Sequence, residues 1–284
     1  MAIGYGSQAR IGRGQGGRAD IVELLSENGL VPLSTRMDAS GMYAPLGSAS
    51  PSGLTDKFGN AFTVDYGSNI VLRRETPIVN GKPGFYTSGG SVDKVTMPCG
   101  IVTGSTSWAV IYVVSTGQFS TVGANSSIVG IDQGVIDGGG LQYPQATLGA
   151  DTASDEMDYK LAGYDGAGNP TTGLSGVLTS AAETTNKCQF VIFQNNGVDL
   201  SCQCYDIPTN TQTQDTTFAP APSAEAIIDP VAAAPVIFFG NHNTASGDGS
   251  NCAEFAVHEV LTFDAALSDD HRDAIKLYML DKWS

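Results

Sequence analysis

The stretch that decides the fold is residues 254–284, which read EFAVHEVLTFDAALSDDHRDAIKLYMLDKWS. Its first part is rich in β-branched and aromatic residues that alternate along the chain. This alternation is typical of a β-strand with one face on a core, so we expect a strand here. The apolar positions are Phe255, Val257, one of Val260 and Leu261, and Phe263.

A helix is predicted directly after this strand. Ser268 is a good N-cap, and Asp269 and Asp270 place negative charge at the positive end of the helix dipole. Trp283 anchors the other end of the helix. The inward stripe recurs at steps of three and four residues and consists of Ala274, Ile275, Tyr278, Met279 and Lys282.

The order of this strand, link and helix resembles the end of bacterial and phage laminin-G-like domains of the concanavalin A-like class. The resemblance implies an all-β fold, a two-sheet antiparallel jelly-roll sandwich with a C-terminal helix. The residues that carry it are Glu259, Val260, Leu261, Phe263, Asp264, Ala266, Leu267, Ser268, Asp269, Lys282 and Trp283.

Earlier segments resemble the same family. Residues 36–40 (RMDAS), 54–60 (LTDKFGN) and 76–86 (TPIVNGKPGFY) stand where the family has strands and turns. Arg36 departs from the pattern because the family has an apolar or aromatic residue there. We expect structural roles in turns and strand ends for Asp38, Asp56 and Glu259.

Other strands are predicted from residue type. Residues 107–115 predict a buried strand, and residues 187–193 and 198–205 predict a hairpin around Asn195-Asn196-Gly197. Residues 210–235 are rich in Thr, Ala and Pro, which favours a long surface loop.

Charge and cysteine content restrict the function. Acidic residues outnumber basic residues by 29 to 14, and the net charge of −15 argues against nucleic-acid binding. No apolar run approaches the roughly eighteen residues of a membrane span. The odd number of cysteines without zinc-type spacing predicts reduced thiols in a protein that folds in a cytosol. They are Cys99, Cys188, Cys202, Cys204 and Cys252.

Residues 1–29 form a separate region in this interpretation, followed by one sandwich domain over residues 30–284. Residues 1–17 are Gly-rich and do not match a secretory signal, and residues 20–28 predict a short helix. Residues 2–9 (AIGYGSQA) weakly resemble a head repeat of trimeric autotransporter adhesins; a flexible glycine tail is the alternative. The candidate assembly residues of this arm are Ile3, Tyr5, Arg10, Ile11, Arg13 and Arg18.

One acidic segment, residues 156–160, partly matches a catalytic motif. Laminarinase-type glycosidases of this fold carry Glu-x-Asp-x-Glu on one strand, and this chain has Glu156 and Asp158 followed by Lys160. A lysine cannot replace the carboxylic proton donor. We therefore interpret the segment as a solvated acidic loop, and the protein as non-enzymatic with no catalytic residues.

The polar middle of the chain supplies binding candidates. Carboxylates from several loops are calcium ligands, so Ca²⁺ is the one cofactor considered. Exposed tyrosines stack on sugar rings, although a neighbouring subunit would cover them equally well. The candidate calcium ligands are Asp137, Asp151, Asp155 and Asp165, and the candidate glycan-binding residues are Tyr143, Tyr159 and Tyr164.

The resulting hypothesis is a structural protein of a bacteriophage virion, either a capsid decoration or a tail-fibre component. It would fold in the host cytoplasm, dock on other virion proteins through its arm, form a homo-oligomer (a trimer is favoured) and bind host-surface glycans. The glycan inference follows from fold resemblance alone. The alternatives are a laminarinase-type glycoside hydrolase and a secreted lectin-like carbohydrate-binding module.

Overall fold

The computed structural model describes residues 33–42, 48–67, 69–78, 82–90, 93–117, 126–133, 145–151, 156–164, 170–179, 187–218, 234–241 and 252–284. Within these ranges the chain forms two antiparallel sheets and one α-helix, which is the all-β two-sheet sandwich that the sequence predicts. The short helix predicted over residues 20–28 lies outside the described ranges.

The described strands follow one another along the chain in this order. They are β1 (Leu33–Asp38), β2 (Ser48–Ala49), β3 (Thr63–Tyr66), β4 (Val71–Arg73), β5 (Gly84–Thr87), β6 (Lys94–Pro98), β7 (Ser107–Thr116), β8 (Ser126–Asp132), β9 (Gln145–Asp151), β10 (Glu156–Tyr164), β11 (Pro170–Thr179), β12 (Lys187–Asn196), β13 (Leu200–Asp206), β14 (Thr211–Phe218), β15 (Val236–Gly240) and β16 (Phe255–Phe263). A 3-10 turn, Ala39–Gly41, follows β1, and the helix α1 spans Asp269–Trp283.

Strand β16 organises the larger sheet. This sheet has the order β14-β13-β12-β7-β16-β5-β4-β2, and β1 also pairs with β16. β7 occupies one side of β16, whereas β5 pairs with its first residues and β1 with its last ones. The strand predicted from the closing stretch is therefore confirmed. It pairs with β1, so the first and last described strands of the chain are neighbours in the sheet.

The smaller sheet has the order β11-β10-β9-β8-β15-β6-β3 and packs on one face of the larger sheet. The core between the sheets draws on aromatic and branched residues of both layers. Phe62, Phe85 and Phe239 contact one another there, with ring centroids 4.9 to 6.1 Å apart.

Helix α1 covers part of the other face of the larger sheet and creates a second core. It starts as predicted, because the Ser268 hydroxyl accepts a hydrogen bond from the His271 amide. Its buried residues are Ile275, Met279, Leu280 and Trp283. Two of them belong to the predicted stripe and Trp283 is the predicted anchor, whereas the other stripe positions, Ala274, Tyr278 and Lys282, are half-buried.

The hairpin and the thiols agree with the sequence. β12 and β13 pair around the Asn195-Asn196-Gly197 turn, where Gly197 has a φ of 84° that favours glycine. All five cysteines are free and buried, and Cys202 and Cys204 share one face of β13 in the core between the sheets.

Two predicted loops are strands instead. Residues 156–164 form β10, and residues 211–218 form β14, an edge strand of the larger sheet. Both sequences lack a clear alternation of apolar residues, so pairing with β9, β11 and β13 decides their conformation. No helix in the described part of the chain is long and apolar enough to cross a membrane.

Candidate ligand-binding groove

The outer face of the larger sheet changes from apolar to polar where it passes beyond α1. Along β12, Phe190 and Ile192 pack in the core beneath the helix, and the next outer positions are Gln194 and Asn196. Because side chains alternate along a strand, these four residues share one face. The switch leaves a polar strip of sheet beside the start of α1.

A groove of about 280 Å³ lies along this strip. Its floor comes from β12, β13 and β14, and its wall comes from the start of α1 and the link before it. The lining residues are Gln194, Asn196, Asp199, Ser201, Gln203, Thr217, Leu267, Asp269 and Arg272.

Local hydrogen bonds fix which amide groups face a ligand. The Asn196 Oδ1 accepts from the amides of Val198 and Asp199 at 2.8 and 2.7 Å, which leaves its NH₂ group as a donor. The Gln194 Oε1 likewise accepts from the Leu267 amide at 2.9 Å. The Gln203 Nε2 donates to Asp215 Oδ1 at 3.4 Å, so its carbonyl oxygen remains as an acceptor. These orientations follow from the hydrogen-bond pattern.

The groove therefore mixes fixed donors with fixed acceptors. The hydroxyls of Ser201 and Thr217 act as either, and the carboxylates of Asp199 and Asp269 accept. Arg272 forms an ion pair with Asp269 one turn earlier on α1. A guanidinium has five N–H groups, so Arg272 can donate further hydrogen bonds.

Of the sequence-predicted glycan residues, Tyr159 has a described side chain, and it does not line this groove. Tyr159 is a correction: its side chain is only 2% exposed, and its ring lies 6.2 Å from the Phe193 ring in the core between the sheets. It lies on the buried face of β10 and cannot stack on a sugar. Tyr164 is the last residue of β10, and Tyr143 lies outside the described residues.

The predicted calcium ligands are only partly within the described chain. Asp151 ends β9 and pairs with Glu156 of β10, whereas Asp137, Asp155 and Asp165 lie outside the described ranges. Among the residues that the structure describes, no group of three His, Cys, Asp or Glu side chains is arranged to hold a metal ion. The assembly residues of the arm, Ile3, Tyr5, Arg10, Ile11, Arg13 and Arg18, also lie outside those ranges.

Several residues from the segments that resemble the family meet in a buried cluster beneath the end of α1, together with Arg36, which departs from the family pattern. Glu259 accepts hydrogen bonds from the Arg36 guanidinium at 3.2 and 3.3 Å, from Lys282 Nζ at 2.7 Å and from Trp283 Nε1 at 2.8 Å. Lys282 also lies 2.9 Å from Asp38. Arg36 and Glu259 are no more than 1% exposed. Asp38 ends β1 and caps the 3-10 turn that follows, as expected, whereas Glu259 lies in the middle of β16 and not at a strand end.

The third expected structural residue, Asp56, orders the turn after β2. Its carboxylate accepts hydrogen bonds from the amides of Arg36, Phe58 and Asn60 and from the Asn60 side chain. An aspartate that bonds to backbone groups in this way stabilises a turn.

Burial raises the pKa of both carboxyls in the cluster and the nearby cations lower it, but the net shift is upward for Glu259 and downward for Asp38. Burial raises the pKa of Glu259, and the cations Lys282 and Arg36 only partly oppose it. Burial also acts on Asp38, but Lys282, the Ser40 hydroxyl and Arg36 together lower its pKa below the usual value. Asp38 therefore stays ionised into the acid range.

His258 lies next to this cluster because β16 contains a bulge between Val257 and Glu259. It is fully buried, with Nδ1 2.6 Å from the Pro83 carbonyl and Nε2 2.6 Å from the Ser115 hydroxyl. Nδ1 therefore donates and Nε2 accepts, as in a neutral imidazole. Burial lowers the pKa of His258 to about 4, and Lys82 acts in the same direction.

This histidine predicts acid sensitivity. The unfolded chain takes up a proton at His258 near pH 6.5, whereas the folded chain resists it until about pH 4. The unfolded state thus binds more protons in this window, and the free energy of unfolding falls as the pH falls, by roughly 2–3 kcal/mol. Urea titrations between these pH values should show this loss in the wild type and a smaller one in His258→Gln.

The matched control for this prediction is His271→Gln on the half-exposed start of α1. It should keep the wild-type pH dependence. An unchanged slope in His258→Gln would contradict the assignment of the acid effect to the buried imidazole.

Comparison with known proteins bears on the fold. No protein-family model and no curated protein matches the sequence. Among solved structures, the binding domain of botulinum neurotoxin serotype D/C is similar, with 12% identity, a TM-score of 0.51, and coverage of 82% of this chain and 52% of that one. A sialidase of Trypanosoma rangeli in complex with sialic acid has 12% identity, a TM-score of 0.46, and coverage of 91% and 38%.

Identities of this size concern the fold alone. The chain spans about half the length of the neurotoxin domain that it matches. The similarity to the neurotoxin domain agrees with the two-sheet antiparallel sandwich that the closing motif predicts.

The groove residues were not singled out from the sequence. One signal was present: the outer positions change from Phe and Ile to Gln and Asn along β12, and from Tyr to Gln and Ser along β13 when it is followed in the same direction across the sheet. Recognising them as a groove also required the position of α1, which the sequence pattern does not give.

Proposed function

We propose that the protein is a non-enzymatic structural component of a bacteriophage virion that binds host-surface glycans through the groove of β12, β13, β14 and α1. The observation that carries the glycan part is the mixed, locally fixed set of donors and acceptors in that groove. Each sugar hydroxyl both donates and accepts a hydrogen bond, so neighbouring hydroxyls need such a set. The neurotoxin protein of similar fold is a binding domain, and this use of the fold is compatible with the proposal.

The virion part is supported by the sequence. The closing motif resembles phage domains, and the free thiols suit folding in a cytosol. In this proposal residues 1–29 form the anchoring arm, residues 30–284 form the binding domain, and the assembly is a homo-oligomer, with a trimer favoured.

The rival function is glycoside hydrolysis. Strand β10 places Glu156, Asp158 and Lys160 at alternate positions, but a laminarinase-type site needs a carboxyl group where Lys160 stands. The purified chain should release no sugar from β-glucans. Measured hydrolysis would replace the binding proposal with the enzymatic one.

Arg272→Ala tests the groove. We expect a glycan identified on an array to bind about 10- to 100-fold more weakly to this variant, because a hydrogen bond from a charged group is lost. Titration calorimetry measures the change. The matched control is Lys276→Ala, which removes the same charge one turn later on α1, where Lys276 lies 4.2 Å from the Tyr205 ring and outside the groove.

An equal loss in Arg272→Ala and Lys276→Ala would show that general charge, and not the groove, controls affinity. Unchanged binding in Arg272→Ala would remove the groove from the proposal.

Deletion of residues 1–18 tests the arm. The truncated protein should keep the unfolding midpoint of the full chain, because residues 1–17 are Gly-rich and carry too little apolar surface to contribute to a core. It should fail to join its assembly, as measured by light scattering and by incorporation into particles. Normal incorporation of the truncated chain would contradict the anchoring role.

A further inference from the structure

We infer that the groove selects uncharged glycans and discriminates against sugars that carry carboxylate, sulfate or phosphate groups. The inference rests on the proposed function of the groove as a glycan site and adds the substrate class. It depends on which charged side chains line the groove and on the ion pair that two of them form with each other.

The fixed charge of the lining is negative. Asp199 and Asp269 contribute two carboxylates, and Arg272 is the one cation among the lining residues that the structure describes. Arg272 is already paired with Asp269. The remaining carboxylate of Asp199 would face an anionic ligand without compensation, and the chain as a whole carries a net charge of −15.

The start of α1 adds no site for an anion. Helix N-termini attract negative groups through their free amides and dipole. Here the Ser268 hydroxyl accepts from the His271 amide, and the chain supplies its own carboxylates at Asp269 and Asp270. The dipole of the helix is therefore offset by residues of the helix itself.

Neutral groups match what remains. The NH₂ groups of Asn196 and Gln194 suit hydroxyl, ring or acetamido oxygens, and the Gln203 carbonyl suits a hydroxyl donor. Leu267 is the apolar member of the lining. These groups recognise hexoses and N-acetylhexosamines without requiring a charge on the ligand.

A matched pair of disaccharides tests the inference. The two ligands differ only at C6 of one ring, which carries CH₂OH in the hexose form and a carboxylate in the hexuronic acid form. At low ionic strength we expect the hexose form to bind about tenfold more tightly, because a like charge at the site penalises the acid. Added salt should narrow the difference by screening.

The variant Asp199→Asn/Asp269→Asn provides the second measurement. It removes both carboxylates of the lining and releases Arg272, so the preference for the hexose form should shrink or reverse. Equal or tighter binding of the acid by the wild type would overturn the inference while leaving glycan binding intact. If no neutral or acidic sugar on a broad array binds, the proposed function itself fails, and this inference fails with it.

Discussion

Replacing Glu259 by alanine is expected to lower the free energy of unfolding by about 3–5 kcal/mol. The carboxylate accepts hydrogen bonds from Arg36, Lys282 and Trp283, and its removal takes away the acceptor of Nε and Nη2 of the fully buried Arg36 guanidinium. Breaking one partner of a buried ion pair costs more than the pair contributes, because the remaining charge stays out of water.

Urea denaturation of the variant measures this loss. The control is Glu75→Ala, since Glu75 is an exposed carboxylate on the same chain and should change the free energy of unfolding by no more than about 0.5 kcal/mol. A loss below about 1 kcal/mol in Glu259→Ala would show that the cluster is not a major source of stability.

A double-mutant cycle separates the pair from its surroundings. Arg36→Leu alone leaves Glu259 with fewer donors, and it should also destabilise the fold. The double variant Arg36→Leu/Glu259→Leu removes both members of the pair and should lose less stability than the sum of the two single variants. Additive losses would contradict direct coupling between the two side chains.

Arg36 also shows what the sequence could and could not reveal. The resemblance marks residue 36 as a position for an apolar side chain, and the structure buries it as such a position requires. An arginine is accommodated there because Glu259, more than two hundred residues later in the chain, reaches the same place across the β1–β16 pair. The closing motif predicted the strand and the helix, but not this compensation.

The edge strand β14 was missed for a related reason. Residues 211–218 read TQTQDTTF, a run without the apolar alternation that marks a strand with one face on a core. At the edge of a sheet a strand needs only one neighbour for its backbone, and β13 supplies it. A strand with few apolar residues shows no alternation, so its sequence does not predict it. The groove was missed for the same reason, because its floor includes the polar strand β14.

Trp283→Ala is expected to cost about 3–5 kcal/mol and to loosen the end of α1. The indole is 2% exposed, its ring centroid lies 5.2 Å from that of His258, and its Nε1 donates to Glu259 at 2.8 Å. The substitution therefore opens a cavity over His258 and removes a donor from the buried carboxylate. Thermal or urea unfolding gives the size of the loss, and amide exchange over residues 275–284 reports the loosening.

Two further variants divide this effect into its parts. Trp283→Phe keeps a ring over His258 but lacks the N–H donor, so it should cost less than the alanine variant and retain the protection of α1. Leu277→Ala is the control for helix truncation, because Leu277 is 66% exposed on the same helix and should have little effect. If Trp283→Ala proved as mild as Leu277→Ala, α1 would contribute little to stability and would not be the element that covers His258 and Glu259.

The acid sensitivity expected of His258 should also diminish in Trp283→Ala, since water admitted to the cavity solvates the imidazolium and raises its pKa towards the ordinary value.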